Sequence, residues 1–219
     1  MLRLTDAHRA ALLLEPESGM GYQYVDATLQ DDQTRPGIAY NAELLLFEGE
    51  PRSSLNEDYD ALLKKARSAA GEVKTLRVVA RSRQTGPPQF VKEATATTLP
   101  AKDAPEEETG GENDLFKRFS AFANDRRVNA NGSLQPGTYA TTAADAAYVK
   151  TGVQAVARYA LPNPAPASFR FTIAPHKGTV IQRGIVQPAF GQPGGGVGVI
   201  FTRGTQPKTV TGPDKIPDR

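Results

Sequence analysis

Three consecutive glycines, Gly194 to Gly196, constrain the fold of this chain more than any other feature. Glycine loses more backbone freedom on folding than any other residue, so a run of three is unfavourable to order. The run lies within GIVQPAFGQPGGGVGVIF, where two apolar, strand-like stretches flank it and Pro188 and Pro193 restrict the backbone between them. The pattern predicts a stiff, glycine-lined loop that joins two core strands. Loops of this kind often carry binding sites, and a wide hairpin without a ligand fits the spacing equally well.

The composition excludes several classes of protein. The 219 residues suffice for one large or two small domains, and 39% apolar content with no Trp predicts a mainly aliphatic core. Because there is no Cys and there are only two His, we expect no disulfide, no thiolate or histidine-rich metal site and no metal cofactor. We find no apolar run of about 18 residues and no secretory signal, so we expect no membrane partner. The expected location is the cytoplasm of the producing cell, with non-classical export left open.

Charge is distributed unevenly along the chain. Residues 1–83 carry 11 Lys and Arg against 13 Asp and Glu, residues 84–113 carry 2 against 6, and residues 114–219 carry 13 against 5. The last segment therefore has a net charge of +8, which favours an anionic ligand, a nucleic acid or an acidic partner. The simpler alternative is that the acidic middle segment neutralises it.

Residues 1–83 predict a small α+β domain. A capping box formed by Ser54 and Glu57 predicts a helix, whose apolar residues recur at helical spacing until Gly71 ends it. The other predicted elements are a helix over 5–14 and strands over 22–29, 37–48 and 73–79. We expect the first two strands to pair in antiparallel fashion.

Residues 84–113 predict a linker, because proline, glycine, threonine and like charges dominate it. Part of residues 90–98 has the composition of an edge strand. The acidic run Glu106 to Glu108 has two interpretations, a solvated spacer or an intramolecular brake that lies against the basic domain.

Residues 114–219 predict a mainly antiparallel β domain with two short helices, so the fold class is α+β. Residues 115–122 place Leu115, Phe119 and Phe122 on one helical face, and Thr142 with Asp145 forms a capping pair for a second helix ending at Gly152. Residues 153–161 are apolar enough for a strand or a helix. Strands are expected over 138–141, 168–173, 179–186 with a bulge at Gly184, and 197–201, followed by an irregular tail.

Familiar nucleotide and hydrolase motifs do not occur in the sequence. There is no GxxxxGK[ST] or GxSxG, and GQPGGG leads into a strand rather than the helix that a dinucleotide fingerprint requires. The remaining candidates need no metal: Arg158 and Arg183 as bidentate anion anchors, the Gly194–Gly196 amides as an anion nest, and Gln192 as a group that orients water or a ribose hydroxyl. Each also has a purely structural interpretation.

The run GIVQPAFGQPGGGVGV resembles the C-terminal signature of the tuberculosis necrotizing toxin family of NAD glycohydrolases. Leu134 to Thr138 (LQPGT) and Ala160 to Pro162 are similar to two earlier signatures of that family, so the resemblance spans residues 134–201. It implies a β-rich toxin module, of bacterial or phage origin, that holds NAD and cleaves its nicotinamide–ribose bond without a metal. It also implies a cognate inhibitor protein as a partner.

The chain departs from the family's pattern at two positions. Gly198 stands where the family has its catalytic glutamine, and Tyr139 stands where it has an arginine. We therefore assign Gln192 and Tyr139 as candidate catalytic residues. The candidate NAD-binding residues are Arg158, Arg183, Phe190, Gly194, Gly195 and Gly196.

Three functions remain open at this point. The first is an effector that binds NAD and either hydrolyses it or transfers ADP-ribose. The second is a non-enzymatic module that docks an acidic partner or nucleic acid through the basic domain, and the third is an adaptor. Nucleic acid is disfavoured, because the basic residues are scattered and aromatic residues for stacking are few.

Overall fold

A computed structural model describes residues 1–50, 59–79, 90–91, 107–111, 113–163 and 165–219. Its strands form two sheets, of six and eight strands, in which neighbouring strands are antiparallel except for one short parallel pair. Within these described residues, four short helices accompany the sheets. The predicted α+β class with mainly antiparallel pairing is confirmed.

The first sheet has the strand order β5-β1-β4-β3-β2-β6. Its strands are β1 (Leu2–Arg3), β2 (Tyr22–Leu29), β3 (Thr34–Tyr40), β4 (Leu44–Phe47), β5 (Arg67–Ser68) and β6 (Val73–Val78), and its helices are α1 (Asp6–Leu13) and α2 (Tyr59–Lys65). The predicted pairing of β2 with β3 is confirmed. The single strand predicted over 37–48 is wrong, because a turn with positive φ at Asn41 and Ala42 divides it.

The second sheet has the order β14-β11-β9-β10-β13-β12-β7, and β8 also pairs with β12. Its strands are β7 (Phe90–Val91), β8 (Glu107–Thr109), β9 (Phe116–Ser120), β10 (Thr138–Thr142), β11 (Phe169–Ile173), β12 (Val180–Val186), β13 (Val197–Phe201) and β14 (Val210–Lys215). Its helices are α3 (Ala143–Ala146) and α4 (Gly152–Arg158). The hairpin predicted around the glycine run is confirmed as the pairing of β12 with β13.

Several predicted elements are wrong for reasons of tertiary context. The segment predicted as a helix over 115–122 contains strand β9, which pairs with β10 on one side and with β11 on the other, so tertiary context overrides the helical spacing. Gly184 is not a bulge, since it pairs with Gly198 in unbroken register. The tail is not irregular, because β14 pairs with β11. Gly152 begins α4 instead of ending the helix before it.

Helix α2 is also shorter than predicted. It ends at Lys65, and β5 begins at Arg67 to pair with β1. The proposed capping residues Ser54 and Glu57 lie outside the described residues, as does most of the predicted linker.

The core connects the two sheets. Its largest cluster combines Tyr22, Tyr24 and Tyr40 of the first sheet with Phe119 of β9 and Tyr159 just after α4. Two smaller clusters lie elsewhere, one under α1 and the first sheet and one on the second sheet. The predicted division into domains at residues 83 and 113 stays a prediction, and the largest core cluster contains residues from both sides of it.

Candidate functional site

The glycine run packs against the end of helix α4. Gly194 N donates to the carbonyl of Ala157 at 3.1 Å, and Gly196 N donates to that of Arg158 at 3.1 Å. The middle amide donates to the Val186 carbonyl at 2.8 Å. The last carbonyls of a helix have no partner within the helix, so this loop caps α4. The three amides are therefore not free to form the predicted anion nest.

The tip of the same hairpin is a tight turn. Phe190 and Gly191 have φ of 54° and 74°, and the backbones of Ala189 and Gln192 exchange two hydrogen bonds. Positive φ at both central positions is typical of a type I′ turn. Gln192 thus occupies the closing position of the turn.

The Phe190 side chain packs on the first sheet. Its ring centroid is 5.7 Å from that of Tyr22 and 5.9 Å from that of Tyr24. Aromatic pairs at this separation contribute to stability beyond the area they bury. The ring therefore joins the hairpin to the core and does not serve as an open stacking surface for a ligand.

One cavity among the described residues has a volume of about 500 Å³. It lies beside α3, between the end of β10 and the hairpin of β12 and β13. The charged and hydroxyl-bearing residues that line it are Asp114, Thr142, Asp145, Tyr148 and Arg183. The volume falls in the range of small-molecule sites. Of the catalytic and NAD-binding residues predicted from the sequence, Arg183 alone lines this cavity.

Asp145 holds one wall of the cavity together. The Thr142 hydroxyl caps α3 by accepting from Asp145 N at 3.1 Å, which confirms the predicted capping pair. The Asp145 carboxylate accepts from Arg158 Nε and from the Tyr159 hydroxyl, both at 3.0 Å. Burial raises the pKa of Tyr159, so the hydroxyl stays a donor. From the sequence pattern, Asp145 is predictable only as a helix cap.

Arg158 acts in the structure as a support for this wall. Its hydrogen bonds to Asp145 raise its pKa. The guanidinium also lies 4.8 Å from the ring centroid of Tyr148, in cation–π contact. Tyr148 is 73% exposed although it lines the cavity, so it presents an aromatic face that the sequence analysis did not single out.

Arg183 differs from Arg158 in its pairing. Its Nε is buried and has no hydrogen-bond partner in the described part of the chain, and its nearest carboxylate is Glu108 Oε2 at 3.7 Å. The side chain is 31% exposed. A desolvated donor without an acceptor is unfavourable, so an anion bound beside Arg183 would gain a charge-assisted hydrogen bond.

Tyr139 lies outside this cavity. Its backbone N donates to Glu17 at 2.9 Å and its carbonyl accepts from Arg118 at 2.7 Å. Burial, with a smaller contribution from Glu17, raises the pKa of the Tyr139 hydroxyl. This tyrosine is therefore a poor general base at neutral pH.

Position 198 faces away from the cavity as well. Side chains alternate between the two faces of a strand, so residue 198 and its neighbour Val197, which lines the cavity, point in opposite directions. Gly184 is its partner across the pair. A side chain at the position of the family's catalytic glutamine would therefore extend from the other face of the sheet.

A second group of charges is fully buried between the two sheets. Arg118 donates to Glu17 through two hydrogen bonds of 2.8 Å and to Asp125 at 2.8 and 3.1 Å. Burial alone would lower the pKa of Arg118, but the carboxylates of Asp125 and Glu17 more than offset it and raise the pKa. We call these three residues the Arg118 cluster.

Comparison with known proteins adds no relative: no protein-family model matches the chain, and no curated protein or solved structure is similar to it. Within the described residues, no helix is long and apolar enough to cross a membrane. No group of three or more His, Asp or Glu side chains in those residues could hold a metal ion.

Proposed function

We propose that the cavity beside α3 binds a nucleotide of the NAD class, with Arg183 as the anchor for its pyrophosphate. The observation that carries this proposal is that Arg183 lines a 500 Å³ cavity while its buried Nε has no hydrogen-bond acceptor among the described residues. Guanidinium groups suit phosphate oxygens in geometry and in charge. The resemblance over residues 134–201 supports the same ligand class.

The exposed ring of Tyr148 supports a ligand that carries a planar base. Tyrosine gives a large contact surface, and the Arg158–Asp145 pair fixes its position. A nucleotide could therefore place its phosphates at Arg183 and a ring on Tyr148. Asp145 supplies a carboxylate on the same wall.

Cleavage of the nicotinamide–ribose bond is the reaction that this ligand would undergo. The bond breaks as positive charge develops on the ribose. In this proposal neutral nicotinamide leaves and water adds to the ribose, which gives ADP-ribose and releases a proton. Asp145 supports the site through Arg158 and Tyr159, which its buried carboxylate already binds. Transfer of ADP-ribose to another acceptor would break the same bond.

The test is calorimetric titration of the full chain with NAD, together with an assay for free nicotinamide. Arg183→Gln should weaken NAD binding about 10-fold, which corresponds to about 1.4 kcal/mol. Arg203→Gln is the matched control, because Arg203 is 73% exposed, does not line the cavity and should leave binding unchanged. Absence of NAD binding by the unaltered chain, or equal losses in the two variants, would contradict the proposal. Binding without nicotinamide release would leave a nucleotide-binding protein that is not an NAD glycohydrolase.

A further inference from the structure

The acidic strand β8 lies along β12, the strand that carries Arg183. It pairs with β12 so that Glu108 is opposite Ile181 and Glu107 is opposite Gln182. Backbone hydrogen bonds extend the pairing on one side, from Gly110 N to the Thr179 carbonyl at 2.9 Å. The strand is thus placed by its backbone, independently of its charged side chains.

Each glutamate of this strand faces a different arginine. Glu108 lies 3.7 Å from Arg183 Nε, and Glu107 lies 3.6 Å from Arg203. The four side chains are between 31% and 73% exposed. Ion pairs this exposed contribute only about 0.2–1 kcal/mol, so a ligand can displace them.

We propose that Glu108 is an internal competitor of the anionic ligand for Arg183, so that strand β8 restrains nucleotide binding at the cavity. The inference rests on the proposed function, since it concerns the same arginine. The Glu108 carboxylate is close enough to reduce the positive potential at Arg183, yet it is too far away to satisfy the hydrogen-bonding capacity of Nε. A phosphate that reaches Arg183 must first overcome this carboxylate.

The sequence of the acidic run is compatible with a solvated spacer and with a brake. Its described part, Glu107 and Glu108, pairs with β12 in the second sheet. Glu106 is outside the described residues. The strand also leads directly to the cavity, because Gly111 N donates to the Asp114 carboxylate at 2.8 Å and Asp114 lines the wall. Any change that draws β8 from the edge of β12 would therefore affect Arg183 first.

The decisive experiment compares Glu108→Gln with Glu107→Gln in the full chain. Both changes remove one charge from the same strand, and only Glu108 faces the cavity arginine. We expect Glu108→Gln to bind NAD and inorganic pyrophosphate about 3-fold more tightly at low salt, the size expected for losing one exposed ion pair. Glu107→Gln should bind within error of the unaltered chain. The gain should disappear in Glu108→Gln/Arg183→Gln.

The outcomes separate this inference from the function on which it rests. If the unaltered chain binds NAD and Glu108→Gln does not tighten binding, the competitor role is overturned and the proposed function stands. If both glutamine variants tighten binding equally, the effect is one of net charge, which also overturns the role. If none of the proteins binds NAD or pyrophosphate, both proposals fail.

Discussion

Arg118 and Arg183 are both arginines on strands of the second sheet, yet their surroundings differ completely. Arg118 is fully buried, and its guanidinium donates to two carboxylates and a backbone carbonyl. Arg183 is partly exposed, has one distant carboxylate and leaves Nε without an acceptor in the described part of the chain. The first arginine is committed to the fold, whereas the second keeps bonding capacity for something else.

The comparison suggests how to separate structure from function among similar polar groups. A satisfied buried ion pair is needed because each partner alone would be an uncompensated charge. A cation on a cavity wall with an unused donor contributes little to folding, and it can bind a ligand anion at small cost to stability.

Replacing Arg118 should have the largest effect on stability. Arg118→Met leaves Glu17 and Asp125 buried without their cation and should lower the free energy of unfolding by about 3–5 kcal/mol. Arg183→Met should change it by no more than about 0.5 kcal/mol. Urea denaturation of both variants measures the difference. Similar losses at the two positions would break the comparison.

The glycine run extends the comparison to backbone groups, because its three amides are as well satisfied as the Arg118 guanidinium. A Cβ at Gly194 would lie 2.6 Å from the Val186 carbonyl oxygen, and one at Gly196 would lie 2.7 Å from the Tyr159 ring. Alanine at either position should cost about 2–4 kcal/mol through strain and overpacking.

Gly195 is the matched control within the same run. Its φ of 86° disfavours alanine, but a Cβ there would meet nothing within 4 Å. Gly195→Ala should therefore cost only about 1 kcal/mol. Thermal unfolding of the three single variants gives the order. Equal losses at all three positions would show that conformation matters here and close packing does not.

These glycines also show how much the sequence could predict. Strand-like flanks and proline restraint are local properties, so the hairpin of β12 and β13 was predictable. The role of the loop as a cap for α4 was not predictable, because the carbonyls of Ala157 and Arg158 approach it from a different element. The capping pair of Thr142 and Asp145 was predictable for the same local reason, although the binding of Arg158 by Asp145 was not.

The strand β9 shows the opposite case. Leu115, Phe119 and Phe122 fit a helical face, but Arg118 and Ser120 are buried together with the two phenylalanines. From sequence, an arginine between apolar residues is expected to be exposed unless a buried carboxylate partner is known. The partner of Arg118 could not be inferred, because Glu17 lies 101 positions earlier in the chain. The candidate site was predictable only at Arg183, since the roles of Tyr148 and Glu108 depend on contacts formed in three dimensions.

Alkaline pH should lower the free energy of unfolding, because two buried tyrosines, Tyr22 and Tyr139, resist ionisation in the folded state. Burial raises the pKa of Tyr22 and Tyr139 above the usual 10.0 in the folded state, with neighbouring charges adding to it. Each tyrosine thus contributes stability that is complete below the unfolded pKa of 10.0 and is lost as pH rises above it. The loss should be about 1.4 kcal/mol for each group, one pH unit above that value.

The measurement is urea denaturation at neutral and alkaline pH, followed by tyrosinate absorbance. Tyr139→Phe should remove one group's share of the pH dependence. An unchanged pH dependence in that variant would mean that Tyr139 ionises as readily in the folded state as in the unfolded one.

The smallest expected effect concerns a donor that lacks a partner inside the core. The Tyr22 hydroxyl is buried and has no hydrogen-bond partner in the described residues, so Tyr22→Phe should leave stability unchanged at neutral pH or raise it by up to about 1 kcal/mol. Tyr59→Phe is the contrasting variant, because the Tyr59 hydroxyl donates to Glu43 at 3.1 Å and its loss should cost about 1 kcal/mol. Neither change should alter NAD binding, since an unpaired donor in a closed core has no route to a ligand. A loss of NAD binding in Tyr22→Phe would show that the unpaired hydroxyl of the core contributes to the site. Whether a polar group bears on ligand binding could then not be judged from its hydrogen-bond partners alone, as was done for Arg118 and Arg183.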